Sequence, residues 1–430
     1  MSHFHTEVLL IGAGAAGLAA AHHLRNEGLV VTILEARERI GGRIHTLNPT
    51  NWPISVETGA EFLHGSADET RVAVDALNLK TEAMPEEHFR PGSTGVEPAD
   101  LELGWTRIAE RLRTIGSDDL TFADFLGRYC GDLSADEKAQ ATAYVEGFNA
   151  ADMRAVSAQW IRESDQETGQ AEGARKICAG YARVLDYFTG HDDGLDIHLN
   201  RPVSSIRWSR GFVEVSTSNN ETFSAQAVIV AVPLGVLQIP STEMGAIHFS
   251  PDLPQKRLQW KLLRMGNVVK VHLLFREPFW EEIAGPDFTF LHTAEGPFQA
   301  WWSSLPCRSP ILTGWSGGPR AAELSRLTDE TILKAGLEQL ATSFRVDHRK
   351  LELKLAAHLV HNWQADQFAR GAYAYVPCGG MALPRQSGEP VENTLFFAGE
   401  ATHRQLMGTV QGAIASGVRA AKEVVSALRT

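Results

Sequence analysis

Residues 8–35, VLLIGAGAAGLAAAHHLRNEGLVVTILE, form the stretch of this sequence that decides its fold. Two short apolar runs, Val8–Ile11 and Val30–Leu34, predict buried strands, and the run Ala15–Asn26 predicts a helix between them. A strand, a crossover helix and a second strand make one βαβ unit. The stretch therefore predicts the start of a doubly wound sheet of the α/β class.

Three glycines, Gly12, Gly14 and Gly17, form the pattern G-x-G-x-x-G between the first predicted strand and the predicted helix. In that context they allow a tight turn, a close approach of the backbone to a pyrophosphate, and packing of the helix on the sheet. Glu35 ends the second strand, 18 positions after Gly17, where a carboxylate can accept hydrogen bonds from a ribose. A glycine-rich turn beside a solvated glutamate is the alternative, but the spacing favours dinucleotide binding.

The segment EARERIGGR (35–43) points to FAD rather than NAD. Gly42 and the glycine before it open the backbone, and Arg43 can reach a pyrophosphate with its planar cationic group. Arg37 is a further candidate contact to the cofactor, although it could equally be a solvated surface charge. For Arg39 a solvated surface position is the preferred interpretation.

The C-terminal part contains a second candidate cofactor segment. The sequence LFFAGEATH (395–403) predicts a strand that runs into a turn of small residues, and GTVQGA (408–413) opens a helix. A helix N-terminus directed at the flavin N1 and C2 carbonyl would stabilise the negative charge of reduced flavin. A plain strand, turn and helix is the alternative. The candidate contacts are Gly399, Glu400, Thr409 and Val410.

The patterns in the rest of the chain predict a discontinuous, Rossmann-like FAD-binding domain and an α+β substrate-binding domain. The FAD-binding domain is predicted from residues 1–70, 195–240 and 390–430. The substrate-binding domain is predicted from residues 71–194, a helical insertion, and 241–389, a mixed or antiparallel sheet. The predicted strands are Asp196–Leu199, Val203–Trp208, Phe212–Ser216, Ala227–Val232, Val268–Phe275, Thr289–His292, Gln299–Trp302, Ile311–Gly314 and Thr394–Ala398.

Length and charge limit the classes of function. A chain of 430 residues is long enough for two domains and a large cofactor. Its net charge of −12 argues against a partner nucleic acid and mildly favours cationic ligands. The four cysteines are far apart in sequence and predict no disulfide framework, which favours a reducing compartment. With neither a secretion signal nor a long apolar segment visible, we expect a soluble, cytoplasmic protein that makes no membrane contact.

At this point the sequence resembles the flavin amine oxidase family, which includes monoamine oxidases, polyamine oxidases and the lysine-specific histone demethylases. The blocks that carry the resemblance extend over nearly the whole chain in the family's order. They are GAGAAG (12–17), EARERIGGR (35–43), ETGAEFLHG (57–65), GNVVKVHLLF (266–275), NWQADQFARGAYAYVPCG (362–379) and GEATHRQLMGTVQGAIASGVRAA (399–421).

The resemblance implies roles for several residues near a flavin ring. Lys270 matches the family's lysine that holds a water near flavin N5, and a lysine in an apolar strand is costly to bury without a polar purpose. An edge-strand lysine that faces solvent is the alternative. Trp363 resembles the tryptophan that packs near the ring, or it is ordinary core. The family's covalent flavin cysteine falls at Ala372, so FAD is expected to be bound non-covalently.

Two aromatic side chains in relatives face each other before the flavin and steer the amine. Tyr373 matches one of them, whereas the opposite position is Thr409, so the aromatic cage is incomplete. His64 resembles a position that lines the substrate tunnel of polyamine oxidases; a histidine satisfied by hydrogen bonds is an equal alternative. Further candidate cofactor contacts are Gly59, Ala60, Glu61 and Val203.

No metal site is predicted, because the spaced pair His358 and His361 lacks a third convergent ligand in the sequence. The acidic positions Glu163, Asp165, Glu167 and Glu172 could form the rim of an entrance for cations, but a solvated loop is the preferred interpretation.

The resemblance implies FAD-dependent oxidation of an amine. Hydride would pass to flavin N5, water would hydrolyse the imine, and dioxygen would be the final acceptor, giving hydrogen peroxide. A polyamine or other aliphatic amine is favoured by His64, the incomplete cage and the acidic balance. The alternatives are an L-amino-acid oxidase, which needs an arginine for the substrate carboxylate, and a catalytically silent FAD-binding regulatory protein. The demethylase branch carries added helical segments for which we expect no room in this chain.

Overall fold

A parallel sheet is built from segments that are far apart in the sequence. The computed structural model describes residues 3–100, 102–116, 118–167, 173–190, 195–243 and 245–429. Among them are 23 strands and 15 α-helices. The strands are β1 (His3–His5), β2 (Val8–Ile11), β3 (Val31–Leu34), β4 (Thr46–Leu47), β5 (Val56–Glu57), β6 (Thr81–Ala83), β7 (His88–Pro91), β8 (Val96–Pro98), β9 (Arg175–Ile177), β10 (Asp196–His198), β11 (Val203–Ser209), β12 (Phe212–Thr217), β13 (Thr222–Ala225), β14 (Ala227–Val230), β15 (His248–Ser250), β16 (Arg264–Gly266), β17 (Val268–Phe275), β18 (Phe290–His292), β19 (Ala300–Ser303), β20 (Ile311–Gly317), β21 (Leu355–Asn362), β22 (Tyr373–Tyr375) and β23 (Leu395–Phe397).

Fifteen α-helices alternate with these strands along the described residues. They are α1 (Ala15–Asn26), α2 (Asp68–Ala76), α3 (Glu102–Leu112), α4 (Phe122–Tyr129), α5 (Ala135–Phe148), α6 (Ala158–Glu167), α7 (Leu185–Thr189), α8 (Leu234–Leu237), α9 (Pro254–Leu262), α10 (Glu281–Ala284), α11 (Gly318–Leu324), α12 (Asp329–Phe344), α13 (His348–Lys354), α14 (Leu383–Gly388) and α15 (Val410–Leu428). Two short 3₁₀ helices, Tyr181–Val184 and Glu400–Thr402, complete the helical segments of the described residues.

The parallel sheet has the strand order β10-β3-β2-β14-β23. Every residue of β2, β3 and β14 is buried, as expected of parallel strands that are covered on both faces. Helices α1 and α15 pack together closely: a side chain at Gly417 would place its Cβ 2.1 Å from the carbonyl oxygen of Ala16. The predicted α/β fold with a βαβ start is confirmed. The exact domain boundaries remain a prediction.

The predicted strands Val203–Trp208 and Phe212–Ser216 do not join the parallel sheet. They lie in a separate five-stranded sheet of order β1-β13-β12-β11-β15. The strand β1, which was not predicted, pairs in parallel with β13, so that Phe4 lies opposite Phe223. Those two rings stack with centroids 4.8 Å apart. Pairing between distant segments of the chain therefore created a second sheet that the local pattern did not separate from the first.

The third large sheet has seven strands in the order β21-β17-β20-β19-β18-β7-β8. All eight residues of β17 are buried, and the strand pairs antiparallel with β20 and β21. The register places Lys270 between Trp315 and His361. Lys270 is thus in an interior strand, which rules out the edge-strand alternative.

Residues 71–194 are only partly helical. Five complete helices lie in this region, α3 to α7, but the strands β7 and β8 extend the seven-stranded sheet, and β6 pairs with β9. The sequence predicted a mostly helical insertion here, and the described residues add four short strands to its helices. Three-residue and four-residue strands have too few residues for their period to be distinguished from a loop, and their pairing partners lie far along the chain.

A disulfide joins Cys178 to Cys307, with 5.6 Å between their Cα atoms. The prediction of no disulfide is wrong, because 129 positions separate the two cysteines and only the tertiary fold brings them together. The argument from cysteines for a reducing compartment fails with it, and the cytoplasmic location remains a prediction. No α-helix within the described part of the chain has the length and apolar character needed to cross a membrane.

Candidate active site

A cavity of about 1410 Å³ opens between the parallel sheet and the seven-stranded sheet. Sites for drug-sized ligands usually have about 300–1,000 Å³, so this cavity has room for a dinucleotide and a second molecule. All predicted site residues except Gly17 lie on its wall. These are Gly12, Gly14, Glu35, Arg37, Gly42, Arg43, Gly59, Ala60, Glu61, His64, Val203, Lys270, Trp363, Tyr373, Gly399, Glu400, Thr409 and Val410.

The glycine loop leaves the backbone open at the start of α1. Gly12 has φ +103°, a conformation that L side chains rarely adopt. Gly14 is the N-cap of α1, and a Cβ there would meet nothing within 4 Å, so the space in front of the helix is open. Gly17 lies behind the loop, where a Cβ would be 1.9 Å from the carbonyl oxygen of Gly12. The positive end of α1 therefore faces the cavity without side chains in the way, which suits a phosphate.

Glu35 lies beside this loop and is 5% exposed. Its Oε2 accepts a hydrogen bond from the backbone N–H of Ala13 at 2.8 Å, and its Oε1 accepts one from the N–H of Arg37 at 2.9 Å. A carboxylate can accept about four hydrogen bonds. Two acceptor positions thus remain for the hydroxyl groups of a ribose.

The three arginines of residues 35–43 have different partners. Arg37 forms a two-point ion pair with Asp366, with nitrogen to oxygen distances of 2.8 and 2.6 Å, and its guanidinium lies over the ring of Phe368. Arg39 is not a solvated surface charge, and that interpretation is wrong. Its guanidinium donates to the carbonyl oxygens of Ile40, Ile44 and Gly42, so it holds the turn of this segment.

Glu400 joins three segments of the cavity wall. Its Oε1 accepts from Arg43 at 2.8 Å, and its Oε2 accepts from the backbone N–H groups of Gly408 and Ala374 at 3.0 and 3.3 Å. Arg43 also donates to the carbonyl oxygen of Ala372 at 2.6 Å. Because Glu400 is 4% exposed, these contacts replace the water that the carboxylate loses on burial.

The N-terminus of α15 also lines the cavity. Thr409 caps this helix: its Oγ1 accepts from the N–H of Gly412 at 2.9 Å and donates to the carbonyl oxygen of Leu406 at 2.7 Å. Gly408, with φ +81°, lies against the ring of Tyr373, and a Cβ there would be 3.1 Å from that ring. Gly408, which has no side chain, therefore lies against the ring of Tyr373, and the incomplete cage stays a prediction.

Lys270 is 1% exposed, and its ammonium is held by oxygen atoms. The Nζ donates to the carbonyl oxygen of Glu57 at 2.5 Å and to Oε2 of Glu61 at 2.5 Å. It lies 5.4 Å from the ring centroid of Trp302 and 6.0 Å from that of Trp315, within range of cation–π attraction. Burial lowers the pKa of Lys270, and the carboxylate of Glu61 opposes this effect.

The carboxylate of Glu61 binds three side chains of the protein. Besides Lys270 it pairs with Lys176 at 2.8 Å and accepts from Nε1 of Trp302 at 3.1 Å. Burial alone raises the pKa of Glu61, but the ammonium groups of Lys176 and Lys270 outweigh burial and bring the pKa below its ordinary value. Glu61 is therefore a carboxylate with its charge already matched, on the cavity wall beside Lys270.

Trp363 and Gly59 pack together on the cavity wall. Trp363 is 3% exposed and donates from Nε1 to the carbonyl oxygen of Thr58 at 2.9 Å. A Cβ at Gly59 would lie 1.8 Å from the carbonyl oxygen of Arg43 and 3.1 Å from the indole of Trp363. Only glycine fits at this position.

His64 and Tyr373 are the predicted substrate-contacting aromatic residues. Tyr373 donates its hydroxyl to the carbonyl oxygen of Phe148 at 2.5 Å, and burial raises the pKa of this phenol. His64 forms no hydrogen bond with any of the described residues, and its ring lies 5.5 Å from that of Phe148 and 5.7 Å from that of Phe62. Burial lowers the pKa of His64 to about 4, so its imidazole is neutral at pH 7.

Several functional candidates were not predicted. Lys176 lies in the three-residue strand β9, and nothing local in the sequence relates it to Glu61. A line of rings continues from His64 in both directions along the cavity, with centroid distances of 4.1–5.7 Å between neighbours: Trp105, Tyr144, Phe148, His64, Phe62 and Trp302. The helical spacing of Tyr144 and Phe148, four positions apart, was the available signal.

The acidic stretch is not a solvated loop where the structure describes it. Glu163 and Asp165 lie on α6, Glu163 pairs with Arg404 at 2.9 Å, and Asp165 accepts from Nε1 of Trp105 at 2.7 Å. Asp165 lines the cavity. The backbone of Glu167 ends the helix, and Glu172 lies outside the described residues.

Comparison with known proteins agrees with this site. The family described as flavin containing amine oxidoreductase matches residues 15–425. Polyamine oxidase 3 of Oryza sativa subsp. japonica is 32% identical over 466 aligned positions, which cover 97% of this chain and 89% of that protein. Amine oxidase [flavin-containing] B of Homo sapiens is 28% identical, and the alignment covers 98% of this chain and 86% of that protein. The human lysine-specific histone demethylase 2 is also 28% identical, but this chain covers only 53% of it.

Solved structures share the fold at lower sequence identity. A putrescine oxidase bound to putrescine has a TM-score of 0.82 and 21% identity, covering 99% of this chain and 100% of that chain. Cyclohexylamine oxidase from Brevibacterium oxydans IH-35A has the same TM-score, identity and coverage. The match over residues 15–425 and the glycine loop, cavity and buried lysine lead to one conclusion. The chain belongs to the flavin-containing amine oxidoreductase family and is a flavin-dependent amine oxidase with FAD as its cofactor.

Proposed function

We propose that this protein oxidises a polyamine or another aliphatic amine, with hydrolysis of the resulting imine and with dioxygen as the final acceptor, giving hydrogen peroxide. The observation that carries the proposal is the buried ammonium of Lys270 on the wall of the cavity that also contains the glycine loop. Bound FAD supplies, at its N5 atom, the acceptor for hydride from the carbon next to the amine nitrogen.

The cofactor-binding residues divide into three groups by chemistry. The N-terminus of α1 and Arg43 are suited to the pyrophosphate, and Glu35 to the ribose. The N-terminus of α15, with Gly399, Thr409 and Val410, is suited to the flavin ring, whose reduced form carries negative charge. The remaining proposed contacts are backbone or packing contacts at Gly42, Gly59, Ala60, Val203 and Trp363, with Arg37 held beside them by Asp366. Ala372 carries no thiol, which supports non-covalent binding.

The substrate side of the cavity favours an uncharged amine at the reacting centre. Tyr373, His64 and Phe62 present aromatic surfaces there, and burial disfavours a charged amine among them. Because the pKa of His64 is lowered to about 4, its ring adds no positive charge that would repel the substrate at pH 7. In this proposal Lys270 holds a water at the reacting centre, and its Nζ keeps its position through Glu57 and Glu61.

An aliphatic amine with a second, cationic nitrogen is the favoured substrate. Four exposed carboxylates line the cavity in segments 71–194 and 241–389, where they can attract a cation at its entrance. They are Glu86, Asp136, Glu295 and Glu338. Two of the similar proteins are a polyamine oxidase and a putrescine oxidase, which agrees with this class of substrate.

The test is anaerobic bleaching of the flavin absorbance of the purified protein with single amines. The panel comprises spermine, spermidine, putrescine, benzylamine, tyramine and a set of L-amino acids. Rapid bleaching by the aliphatic polyamines, followed by recovery of absorbance and one equivalent of hydrogen peroxide on admission of air, is expected. Bleaching by amino acids alone would assign the protein as an L-amino-acid oxidase. A flavin that no compound bleaches would favour the catalytically silent FAD-binding protein.

A further inference from the structure

Two buried lysines share one buried carboxylate beside the cavity. Oε2 of Glu61 binds Lys270 at 2.5 Å, and Oε1 binds Lys176 at 2.8 Å. Trp302 donates to the same Oε1 at 3.1 Å. The side chains of Lys270, Lys176 and Glu61 are 1%, 9% and 9% exposed, so water screens none of these contacts.

The three groups do not balance in charge. Two ammonium ions and one carboxylate leave one surplus positive charge, and a buried charge without a partner is costly. The cost falls if one lysine gives up its proton. Lys270 lines the cavity, whereas Lys176 is not among the lining residues, and both bind the same carboxylate of Glu61.

Lys176 is held in place by two long-range constraints. It lies in β9, which pairs with β6 so that Lys176 is opposite Glu82. Two residues later, Cys178 is bonded to Cys307, which follows β19 and its residue Trp302. The disulfide thereby ties together the two segments that deliver Lys176 and Trp302 to Oε1 of Glu61.

We propose that Glu61 and Lys176 are positioning residues that set the protonation of Lys270 in opposite senses: Glu61 retains the proton on Lys270, and Lys176 promotes its release by drawing on the charge of Glu61. The inference rests on the proposed function, since it concerns how Lys270 serves the same reaction. Neither residue touches the reacting atoms in this proposal.

Three other titratable groups lie near Lys270, namely Glu57, His272 and His361. Glu57 on β5 has its carboxylate bound by Thr46 and by the N–H of Tyr181, and burial raises its pKa. Burial lowers the pKa of His272, which lies on β17 with Lys270, to about 3, and that of His361 on β21 to about 4. Both histidines are therefore neutral above about pH 5. A Glu57→Gln variant identifies any contribution from that carboxyl group.

The experiment compares Glu61→Gln and Lys176→Met in the FAD-loaded protein. The first readout is the pH at which the visible absorbance of the oxidised flavin changes in the absence of substrate. The second is the pH dependence of the flavin reduction and reoxidation rates. The inflection is expected to move to lower pH in Glu61→Gln and to higher pH in Lys176→Met. Each movement should be about 1–3 pH units, as for other ion pairs at contact distance.

Three further variants distinguish charge from structural damage. Lys176→Arg keeps the positive charge and should restore the inflection of the original protein. Lys270→Met should abolish the inflection in both readouts. Lys80→Met removes a lysine that is 82% exposed and should leave the profile unchanged. If Glu61→Gln does not fold, the comparison of Lys176→Met with Lys176→Arg still decides whether the charge of Lys176 raises or lowers the pH of the inflection.

The inference would be overturned if the inflection shifted in the same direction in Glu61→Gln and Lys176→Met, or if it did not shift in the FAD-loaded protein. Failure of the proposed function gives a different result: no amine reduces the flavin, while the absorbance titration without substrate still moves in opposite directions. The two failures are therefore distinguishable.

Discussion

Replacing Glu400 with glutamine tests the contact that joins three segments of the cavity wall. The substitution keeps the shape of the side chain but replaces one acceptor oxygen with an NH₂ donor. If the amide nitrogen faces Arg43, a donor meets a donor at 2.8 Å; if it faces Gly408 and Ala374, it meets two backbone N–H groups at 3.0 and 3.3 Å. Either orientation loses contacts that the carboxylate makes.

The size of the expected loss in the free energy of unfolding follows from how deeply Glu400 and Arg43 are buried. Removing one partner of a buried ion pair costs about 3–5 kcal/mol. The side chain of Glu400 is 6% exposed, but that of Arg43 is 23% exposed and can recover some hydration. We therefore expect the lower end of the range, a loss of about 3 kcal/mol in the free energy of unfolding. Because Gly408 and Arg43 lie on the cavity wall, FAD should also dissociate more readily.

The assay is urea unfolding of FAD-loaded and FAD-stripped protein, together with the fraction of FAD retained after gel filtration. Glu389→Gln is the matched control, since it removes a surface ion pair with Arg385 in which the side chains are 48% and 75% exposed. Such a pair contributes about 0.3–0.5 kcal/mol. If Glu400→Gln loses no more stability than the control and retains FAD equally well, the role assigned to Glu400 is refuted.

Three other substitutions have defined outcomes. Lys270→Met should retain FAD but slow flavin reduction or reoxidation in stopped-flow experiments, and unchanged rates in both half-reactions would remove Lys270 from the mechanism. Glu35→Ala should weaken FAD retention during dialysis, because the ribose loses its acceptor; full occupancy afterwards would contradict that role. Cys307→Ser should lower the free energy of unfolding by about 2–5 kcal/mol, because the disulfide closes a long loop. Equal urea midpoints for Cys307→Ser and the parent protein would show that the disulfide adds no stability.

Much of the fold could be predicted from local patterns. The apolar runs of β2 and β3, the helix α1 and the long helix α15 have side-chain periods that depend only on neighbouring residues. The glycines of residues 12–17 were interpretable for the same reason: a tight turn followed by a helix is a local requirement of the backbone. These elements lie where the sequence predicted them.

The composition of the candidate site was predicted better than its contacts. Lys270 and Glu61 were both candidates, but their ion pair joins positions 209 residues apart, and no spacing rule relates such positions. The partner of Arg37, Asp366, lies 329 residues away. Lys176 was missed altogether, because a lysine in a short strand has no distinctive pattern until another charge is brought next to it.

The sequence by itself determined the βαβ start, the phosphate-binding loop and the residues that could contact a flavin, because each depends on the chemistry and spacing of neighbouring residues. The tertiary structure alone decided that β11 and β12 belong to a second sheet, that Cys178 bonds to Cys307, and that two lysines meet at Glu61. These features depend on pairing and burial between distant segments of the chain. Their energies arise only when folding removes water and brings the groups into contact.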